Sequence, residues 1–274
     1  MYIIQNGLRI ESEKASVMVA SEGYNFGYGI FETIKVVEGK ILFFEEHLQR
    51  LQSGCKKLSL STSFSSDELR KHCNDLIDAN EMLSGVIKIL FGKSKDNTDI
   101  IISTRQNSYK KENYDRGFRI CFAEAKRNPY AMLTYIKSAN YLENLLEKQK
   151  AAKRGFDEAV FLNIYEKISE GSLSNIFFIK DSVLCTPSIS CGLLPGILRE
   201  KVLALGKELG MQLSLGEFSM EELIAADEIF ITNSILEIMP VSQIENQKLD
   251  IGKNKITSML SKAYLEMIEK ACKI

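Results

Sequence analysis

The spacing of hydrophobic and polar residues predicts both strands and helices in the first part of the chain. Residues 2–5 and 8–10 alternate on either side of Asn6-Gly7, a pair that favours the tight turn of a hairpin. Hydrophobic residues recur at helical spacing over 44–58 and again over 65–77. Alternating patterns predict further strands at 30–36, 85–91 and 99–103.

The pattern changes at residues 104–116, which are polar and have no period. We therefore predict a domain boundary, with an N-terminal domain over 1–115 and a C-terminal domain over 116–274. The strands are grouped and do not alternate strictly with helices, so the predicted fold class is α+β. The C-terminal strands are predicted at 117–125, 158–162, 176–179, 183–186 and 228–232, and its helices from Asn140 to Gly155, from Pro195-Gly196 to about Gly210, after Ser219, and over 254–270.

A segment rich in glycine and aromatic residues, 23–29, is predicted to be a loop. Its glycine spacing does not match the Gly-x-Gly-x-x-Gly dinucleotide motif, and no crossover helix follows it. Two interpretations stay open. The segment is a structural loop, or it is backbone that approaches a ligand more closely than any side chain would allow.

Composition narrows the classes of function. The 274 residues carry a net charge of −1 with no block of like charge, which argues against nucleic acid or an anionic membrane as partner. No apolar run approaches the roughly 18–20 residues of a spanning helix, and no signal-peptide pattern opens the chain, so we expect a cytoplasmic protein. Six cysteines without a Cys-x-x-Cys pair and only two histidines make a metal site or a Ser-His-Asp site unexpected.

Lys137 and Glu170 are the candidate catalytic pair. Lys137 directly precedes an apolar helical pattern, a setting in which an amine can be desolvated and made nucleophilic. Glu170 comes before a run of small polar residues at 171–175. Taken alone, Lys137 is interpreted as a surface charge and Glu170 as a turn carboxylate.

Three further features suit a phosphate. The helix that opens at Pro195-Gly196 presents backbone N–H groups at its positive end. Thr232 and Ser234 could add hydroxyl donors, and Arg50 could add charge. None of these signals is specific by itself.

In four ordered blocks the chain resembles the class IV, or fold-type IV, pyridoxal-phosphate enzymes. That family includes branched-chain and D-amino-acid aminotransferases and 4-amino-4-deoxychorismate lyase. The blocks cover nearly the whole chain, and their order makes the resemblance specific. They are Phe31-Glu32-Thr33-Ile34-Lys35 with His47-Leu48-Gln49-Arg50-Leu51, then Lys137-Ser138-Ala139-Asn140-Tyr141, then Glu170-Gly171-Ser172-Leu173-Ser174-Asn175, and finally Thr186-Pro187 with Gly192-Leu193-Leu194-Pro195-Gly196-Ile197-Leu198-Arg199 and Thr232-Asn233-Ser234.

The resemblance implies a two-domain enzyme like D-amino-acid aminotransferase, with a small N-terminal α/β sandwich and a larger, barrel-like C-terminal cofactor domain. It implies that Lys137 forms a Schiff base with pyridoxal 5′-phosphate and moves protons, and that Glu170 faces the pyridine nitrogen. It also implies a homodimer. The other implied cofactor residues are Arg50, Ile197, Leu198, Asn233 and Ser234 around the phosphate, Leu194 against the ring, and Tyr141 near the phenolate oxygen.

The same resemblance leaves two activities open. Thr33 stands where branched-chain enzymes usually carry glycine and where the lyases carry a threonine linked to proton relay, so Thr33 is a second candidate catalytic residue. Phe31 replaces the tyrosine of D-amino-acid aminotransferases, and no arginine-rich segment follows the strand at 85–91. Aminodeoxychorismate lyase is therefore the preferred prediction, with an aminotransferase for D- or branched-chain amino acids as the alternative. A binding protein with a degenerate site is the non-enzymatic alternative.

Overall fold

The computed structural model describes residues 1–61 and 64–273 and divides into two compact units. The first unit consists of Met1–Ser108 and Ile136–Tyr141, together with the end of the chain from Ala271. The second unit consists of Tyr109–Tyr135 and Leu142–Lys270. The assignment of residues 1–115 and 116–274 to two domains stays a prediction.

An antiparallel six-stranded sheet forms the centre of the first unit, in the order β2-β1-β6-β5-β3-β4. The predicted hairpin at Asn6-Gly7 is confirmed, because β1 and β2 pair across it. The strands are β1 (Tyr2–Gln5), β2 (Leu8–Glu11), β3 (Gly29–Val37), β4 (Lys40–Ile41), β5 (Gly85–Ser94) and β6 (Asn97–Arg105).

Three helices accompany this sheet: α1 (Glu22–Phe26), α2 (Phe44–Lys57) and α3 (Ser66–Ala79). The loop predicted over 23–29 is wrong in its first half, because the Ser21 hydroxyl accepts the Tyr24 N–H and caps the short helix α1. A reciprocal capping box between Ser65 and Glu68 opens α3, in agreement with its sequence pattern.

One face of strand β3 packs on the core of the first unit, and its other face is partly open. Its buried residues Ile30, Ile34 and Val36 pack with α2 and α3 in one hydrophobic cluster. Gly54 allows α2 to approach closely, since a Cβ there would lie 1.9 Å from Ile30 Cδ1. The alternate residues of β3, among them Phe31 and Thr33, therefore lie on the opposite face of the sheet.

A nine-stranded mixed sheet forms the second unit, in the order β12-β11-β10-β13-β14-β7-β8-β9, with β15 paired to β14. Its central strands are almost wholly buried, which explains their continuous hydrophobic runs. The strands are β7 (Phe118–Phe122), β8 (Glu158–Leu162), β9 (Ile168–Gly171), β10 (Asn175–Lys180), β11 (Val183–Pro187), β12 (Leu213–Gly216), β13 (Glu228–Asn233), β14 (Glu237–Ile244) and β15 (Gln247–Lys248).

The remaining helices are α4 (Lys111–Arg116), α5 (Leu142–Lys153), α6 (Ile197–Glu208), α7 (Met220–Ile224) and α8 (Lys255–Lys273). The aperiodic segment 104–116 thus contains an unpredicted helix. Helix α6 begins at Ile197, just after the predicted start at Pro195-Gly196, and Gly196 is its N-cap. No helix in residues 1–61 and 64–273 is long and apolar enough to cross a membrane.

Candidate active site

The segment that carries Lys137 is held against the first residues of β3. The Phe31 N–H donates to the Lys137 carbonyl at 3.0 Å, and the Ala139 N–H donates to the Gly29 carbonyl at 2.8 Å. Ile30 and Ser138 form an isolated antiparallel bridge between these bonds. A lysine far along the chain is thereby fixed beside a strand of the first unit.

The Lys137 ammonium lies next to two aromatic rings. Its Nζ is 4.6 Å from the centre of the Phe31 ring and 5.3 Å from that of Tyr141. The two rings meet edge to face, with centres 5.2 Å apart and planes 87° apart. Two predicted site residues, Lys137 and Tyr141, are therefore neighbours, and Phe31 joins them.

On the core face of β3, Arg50 forms a buried ionic cluster with Glu32 and His47. Arg50 Nε and Nη2 each donate to one oxygen of the Glu32 carboxylate at 2.7 Å, and His47 Nδ1 lies 2.7 Å from Glu32 Oε2. Glu32 and His47 are fully buried, whereas the Arg50 side chain is 19% exposed. The bidentate pair fixes the plane of the guanidinium.

The charges in this cluster are set by burial and by pairing. Burial raises the pKa of the Glu32 carboxyl, but the charge and hydrogen bonds of Arg50 and the bond to His47 outweigh it and lower that pKa to about 2. Burial lowers the pKa of His47, against the opposing effect of Glu32. Glu32 is thus ionised and His47 neutral at pH 7, so His47 donates its Nδ1 proton to the carboxylate.

Thr33 and Lys88 lie opposite each other on the second face of the sheet. They are directly paired in the β3–β5 register, and Lys88 is also paired with Ser103 of β6. The Lys88 Nζ is 4.8 Å from the centre of the Phe31 ring, the same ring that Lys137 contacts. Thr33, Lys88 and Lys137 are therefore grouped around Phe31.

In the second unit, Glu170 on β9 is a buried carboxylate that contacts Leu194 and Arg127. Its Oε2 accepts the Leu194 N–H at 3.0 Å, and its Oε1 lies 3.2 Å from Arg127 Nε. Arg127 is itself buried, with its guanidinium 3.8 Å from the centre of the Phe161 ring and a 2.7 Å bond to Glu143. Two of the predicted residues, Glu170 and Leu194, are thus in direct contact.

The segment before α6 is shaped by Asn175, whose Nδ2 donates to the Leu194 carbonyl at 3.0 Å. Only glycine fits at position 196, since a Cβ there would lie 1.9 Å from Asn175 Oδ1. The N-cap residue Gly196 has no side chain to cap the first N–H groups of α6, and the helix packs against β13. The start of α6, with Ile197 and Leu198, therefore presents the positive end of a helix.

At the end of β13, Asn233 organises the turn. Its Oδ1 accepts the N–H groups of Ile235 and Leu236 at 2.8 Å, and its Nδ2 donates to the Leu173 carbonyl at 2.9 Å. Ser234 follows in this turn and is half-buried. Asn233 is therefore held by its own unit, and it keeps the Ser234 backbone in place.

The family model for class IV aminotransferases matches residues 29–244. The chain belongs to this family. Its relatives include D-alanine aminotransferase of Listeria monocytogenes, 30% identical over 286 residues with 99% of this chain and 98% of the relative covered. They also include aminodeoxychorismate lyase of Bacillus subtilis, 27% identical over 284 residues with 97% and 94% covered. Among solved structures, branched-chain amino acid aminotransferase of Escherichia coli superposes with a TM-score of 0.92 at 30% identity, covering 97% of this chain and 93% of that one.

These comparisons confirm the predicted family and the α+β, fold-type IV class. Class IV enzymes depend on pyridoxal phosphate, and one solved structure in the same fold contains a phosphopyridoxyl-glutamate adduct. The three named relatives carry three different activities, so membership of the family does not select among them.

The residues of this class IV chain fit a phosphate-bearing cofactor. The Thr232 hydroxyl oxygen is buried and has no hydrogen-bond partner within the described part of the chain. Thr232 is paired with Asn175, which contacts the segment that opens α6. An uncapped helix start and a spare hydroxyl nearby are donors of the kind a phosphate accepts. Among the residues described, no cluster of His, Cys, Asp or Glu is suited to a metal ion.

Four residues around these groups were not predicted as site residues: Glu32, His47, Lys88 and Arg127. The resemblance blocks contain Glu32 and His47, but only packing of α2 on β3 brings Glu32 to His47 and Arg50. The alternation of β3 and β5 could have placed Lys88 on the face of Thr33 once the pairing register was known. No sequence signal marks Arg127.

Proposed function

We propose that this class IV enzyme is a pyridoxal-phosphate-dependent lyase that converts 4-amino-4-deoxychorismate to 4-aminobenzoate and pyruvate, a step of folate biosynthesis. The observation that supports this choice is the position of Thr33. Its side chain shares a sheet face with Phe31, whose ring lies beside the Lys137 ammonium. A hydroxyl near the reacting amine suits a reaction in which a proton must reach a leaving group.

Bound pyridoxal phosphate supplies an electron sink through its protonated pyridine ring. In this proposal Glu170 holds the proton on the pyridine nitrogen, and its carboxylate is oriented by Arg127 and the Leu194 N–H. Leu194 would lie against the ring, and Tyr141 would reach the phenolate oxygen. The phosphate would be held by Arg50, the N–H groups of Ile197 and Leu198, Asn233 and the Ser234 hydroxyl. Glu32 and His47 act on the phosphate indirectly, because they orient Arg50.

Lys137 has two tasks in this proposal. Its amine would hold the cofactor, and, once free, it would remove the ring proton next to the substrate nitrogen. The bond between the ring and the enolpyruvyl oxygen breaks as the ring becomes aromatic. Thr33 relays a proton to the departing group, which leaves as pyruvate.

The second candidate is an aminotransferase for D-amino acids or branched-chain amino acids. The observation that favours it is the similarity to D-alanine aminotransferase and to the branched-chain enzyme structure. Lys137 would then move a proton between two carbon atoms, and no leaving group would require Thr33. The roles of Lys137 and Glu170 are common to both candidates.

One assay separates the two. The cofactor-loaded protein is given 4-amino-4-deoxychorismate, and 4-aminobenzoate and pyruvate are measured. It is then given L- and D-amino acids with 2-oxoglutarate, and amino transfer is measured. We expect 4-aminobenzoate and pyruvate in equal amounts. Rapid amino transfer without 4-aminobenzoate would overturn the proposal in favour of the aminotransferase.

Two variants sharpen this assay. Lys137→Ala should abolish the yellow absorption band of the bound cofactor and the activity together, whereas a protein that never binds the cofactor would refute every enzymatic candidate. Thr33→Val removes the hydroxyl at nearly constant volume and should lower lyase turnover by about 100-fold with the absorption band retained. Thr33→Ser is the matched control and should keep most of the turnover. We further propose a cytoplasmic homodimer that acts on a small-molecule substrate, which light scattering of the purified protein tests in part.

A further inference from the structure

Lys88 presents a positive charge on the sheet face that carries Thr33. The two residues are paired directly across β3 and β5, which brings their Cβ atoms to about 4.5–5.5 Å. The Lys88 Nζ lies 4.8 Å from the centre of the Phe31 ring, and the Lys137 Nζ lies 4.6 Å from the same centre. Phe31 is thus a shared neighbour of two ammonium groups.

The charge of Lys88 is not neutralised by the protein. In the described parts of the chain, 1–61 and 64–273, no Asp or Glu oxygen makes an ion pair with its Nζ. Arg105 shares the same face, because it lies two residues beyond Ser103, the partner of Lys88 on β6. Burial lowers the pKa of the Lys88 ammonium, and the charge of Arg105 lowers it further.

A partly desolvated cation of this kind gains from an anionic ligand. A bound carboxylate would accept a charge-assisted hydrogen bond from the Lys88 ammonium and stabilise its charge. The Phe31 ring beside the ammonium limits access of water to this bond. An anion bound by Lys88 would lie next to Thr33, the residue that we assign to proton relay, because the two residues are paired directly across β3 and β5.

We propose that Lys88 binds the carboxylate of the enolpyruvyl group, the part of the substrate that departs as pyruvate. This inference rests on the proposed lyase function. It assigns the substrate class more narrowly, as a ring amine whose leaving group carries a carboxylate. Lys88 is a binding and orienting residue, which holds the leaving group where Thr33 can protonate it.

The test uses the cofactor-loaded protein and two ligands, pyruvate and 4-aminobenzoate, with binding measured by titration calorimetry. Lys88→Met should weaken pyruvate binding by about tenfold or more and leave 4-aminobenzoate binding nearly unchanged. It should also raise KM for 4-amino-4-deoxychorismate, while the absorption band of the cofactor stays intact. Lys88→Arg should restore most of the pyruvate affinity.

Lys93→Met is the matched control. Lys93 belongs to the same strand and carries the same charge, but it lies five residues from Lys88 and therefore on the opposite face. We expect this control to bind both ligands like the wild type. A change in net charge alone would affect the two variants equally and would overturn the proposal.

The outcomes separate the inference from the function on which it rests. If the wild type makes no 4-aminobenzoate, the lyase proposal fails and this assignment fails with it. If the wild type is an active lyase but Lys88→Met binds pyruvate like the wild type, or if the wild type binds no pyruvate, only the assignment of Lys88 is overturned.

Discussion

Replacing Glu32 by glutamine tests whether the ionic cluster on the core face of β3 stabilises the fold. The carboxyl is fully buried, and its pKa is lowered from an ordinary 4.5 to about 2 by Arg50 and His47, against the effect of burial. At about 1.36 kcal/mol per pH unit, this difference corresponds to about 3 kcal/mol of stability at pH 7. The Glu32→Gln protein should lose that amount.

The sign of the pH dependence follows from the same difference. Because the pKa is lower in the folded state, the contribution of Glu32 is fully present above pH 4.5 and is lost as the pH falls towards 2. At pH 3 the wild type should retain only about 1 kcal/mol of this contribution. The stability gap between wild type and variant should therefore narrow by about 2 kcal/mol between pH 7 and pH 3.

The assay is urea unfolding of both proteins at several pH values, followed by far-UV circular dichroism because the chain contains no tryptophan. Glu45→Gln is the control, since Glu45 lies on α2, the helix that carries Arg50, in an exposed pair with Arg70, and the change should alter stability by less than about 1 kcal/mol. A Glu32→Gln penalty that is the same at pH 7 and pH 3, or no larger than that of Glu45→Gln, would refute this account of the cluster.

Three further predictions concern other parts of the chain. Gly196→Ala should destabilise the protein by about 1–3 kcal/mol in the same unfolding assay, because its Cβ would strike the Asn175 amide, whereas Gly216→Ala meets only ordinary contacts and should not. Asn233→Ala should cost about 1–3 kcal/mol, since it removes three hydrogen bonds to backbone groups; an unchanged unfolding midpoint would contradict this. Cysteine labelling at pH 8 should be confined to the half-buried Cys272, because burial raises the pKa of Cys73 to about 12 and that of Cys55 to about 11, and Cys272→Ser should abolish the rapid reaction. Rapid labelling that persists in Cys272→Ser would refute the last of these.

Helix α5 illustrates where local pattern and tertiary structure disagree. Its leucines belong to the apolar helical pattern in the sequence, yet Leu142, Leu145 and Leu146 are exposed. Asn144 and Glu147 are buried instead. Each has a distant partner, as Asn144 donates to the Ser172 carbonyl at 2.6 Å and Glu147 accepts the Glu124 N–H at 2.9 Å. Periodicity describes how hydrophobic residues are spaced, but it does not reveal partners elsewhere in the chain.

The sequence by itself determined the local features of this protein. The alternation of β3, the stripe of α2 and the cap at Ser65 depend on neighbours within a few residues, so their physical causes are present in the sequence. The ordered motifs also identified the family, since they state which residue types recur and in what order.

Tertiary structure decided which of these residues meet. The bidentate pair of Arg50 with Glu32 joins positions 18 residues apart, on α2 and β3, and Gly54 allows these two elements to lie close together. Strand register likewise decides the pairing of Lys88 with Thr33. The contact of Glu170 with Arg127 depends on how distant segments of the second unit fold back on one another. Such contacts are set by the packing of distant segments, and a short window of sequence carries no record of that packing.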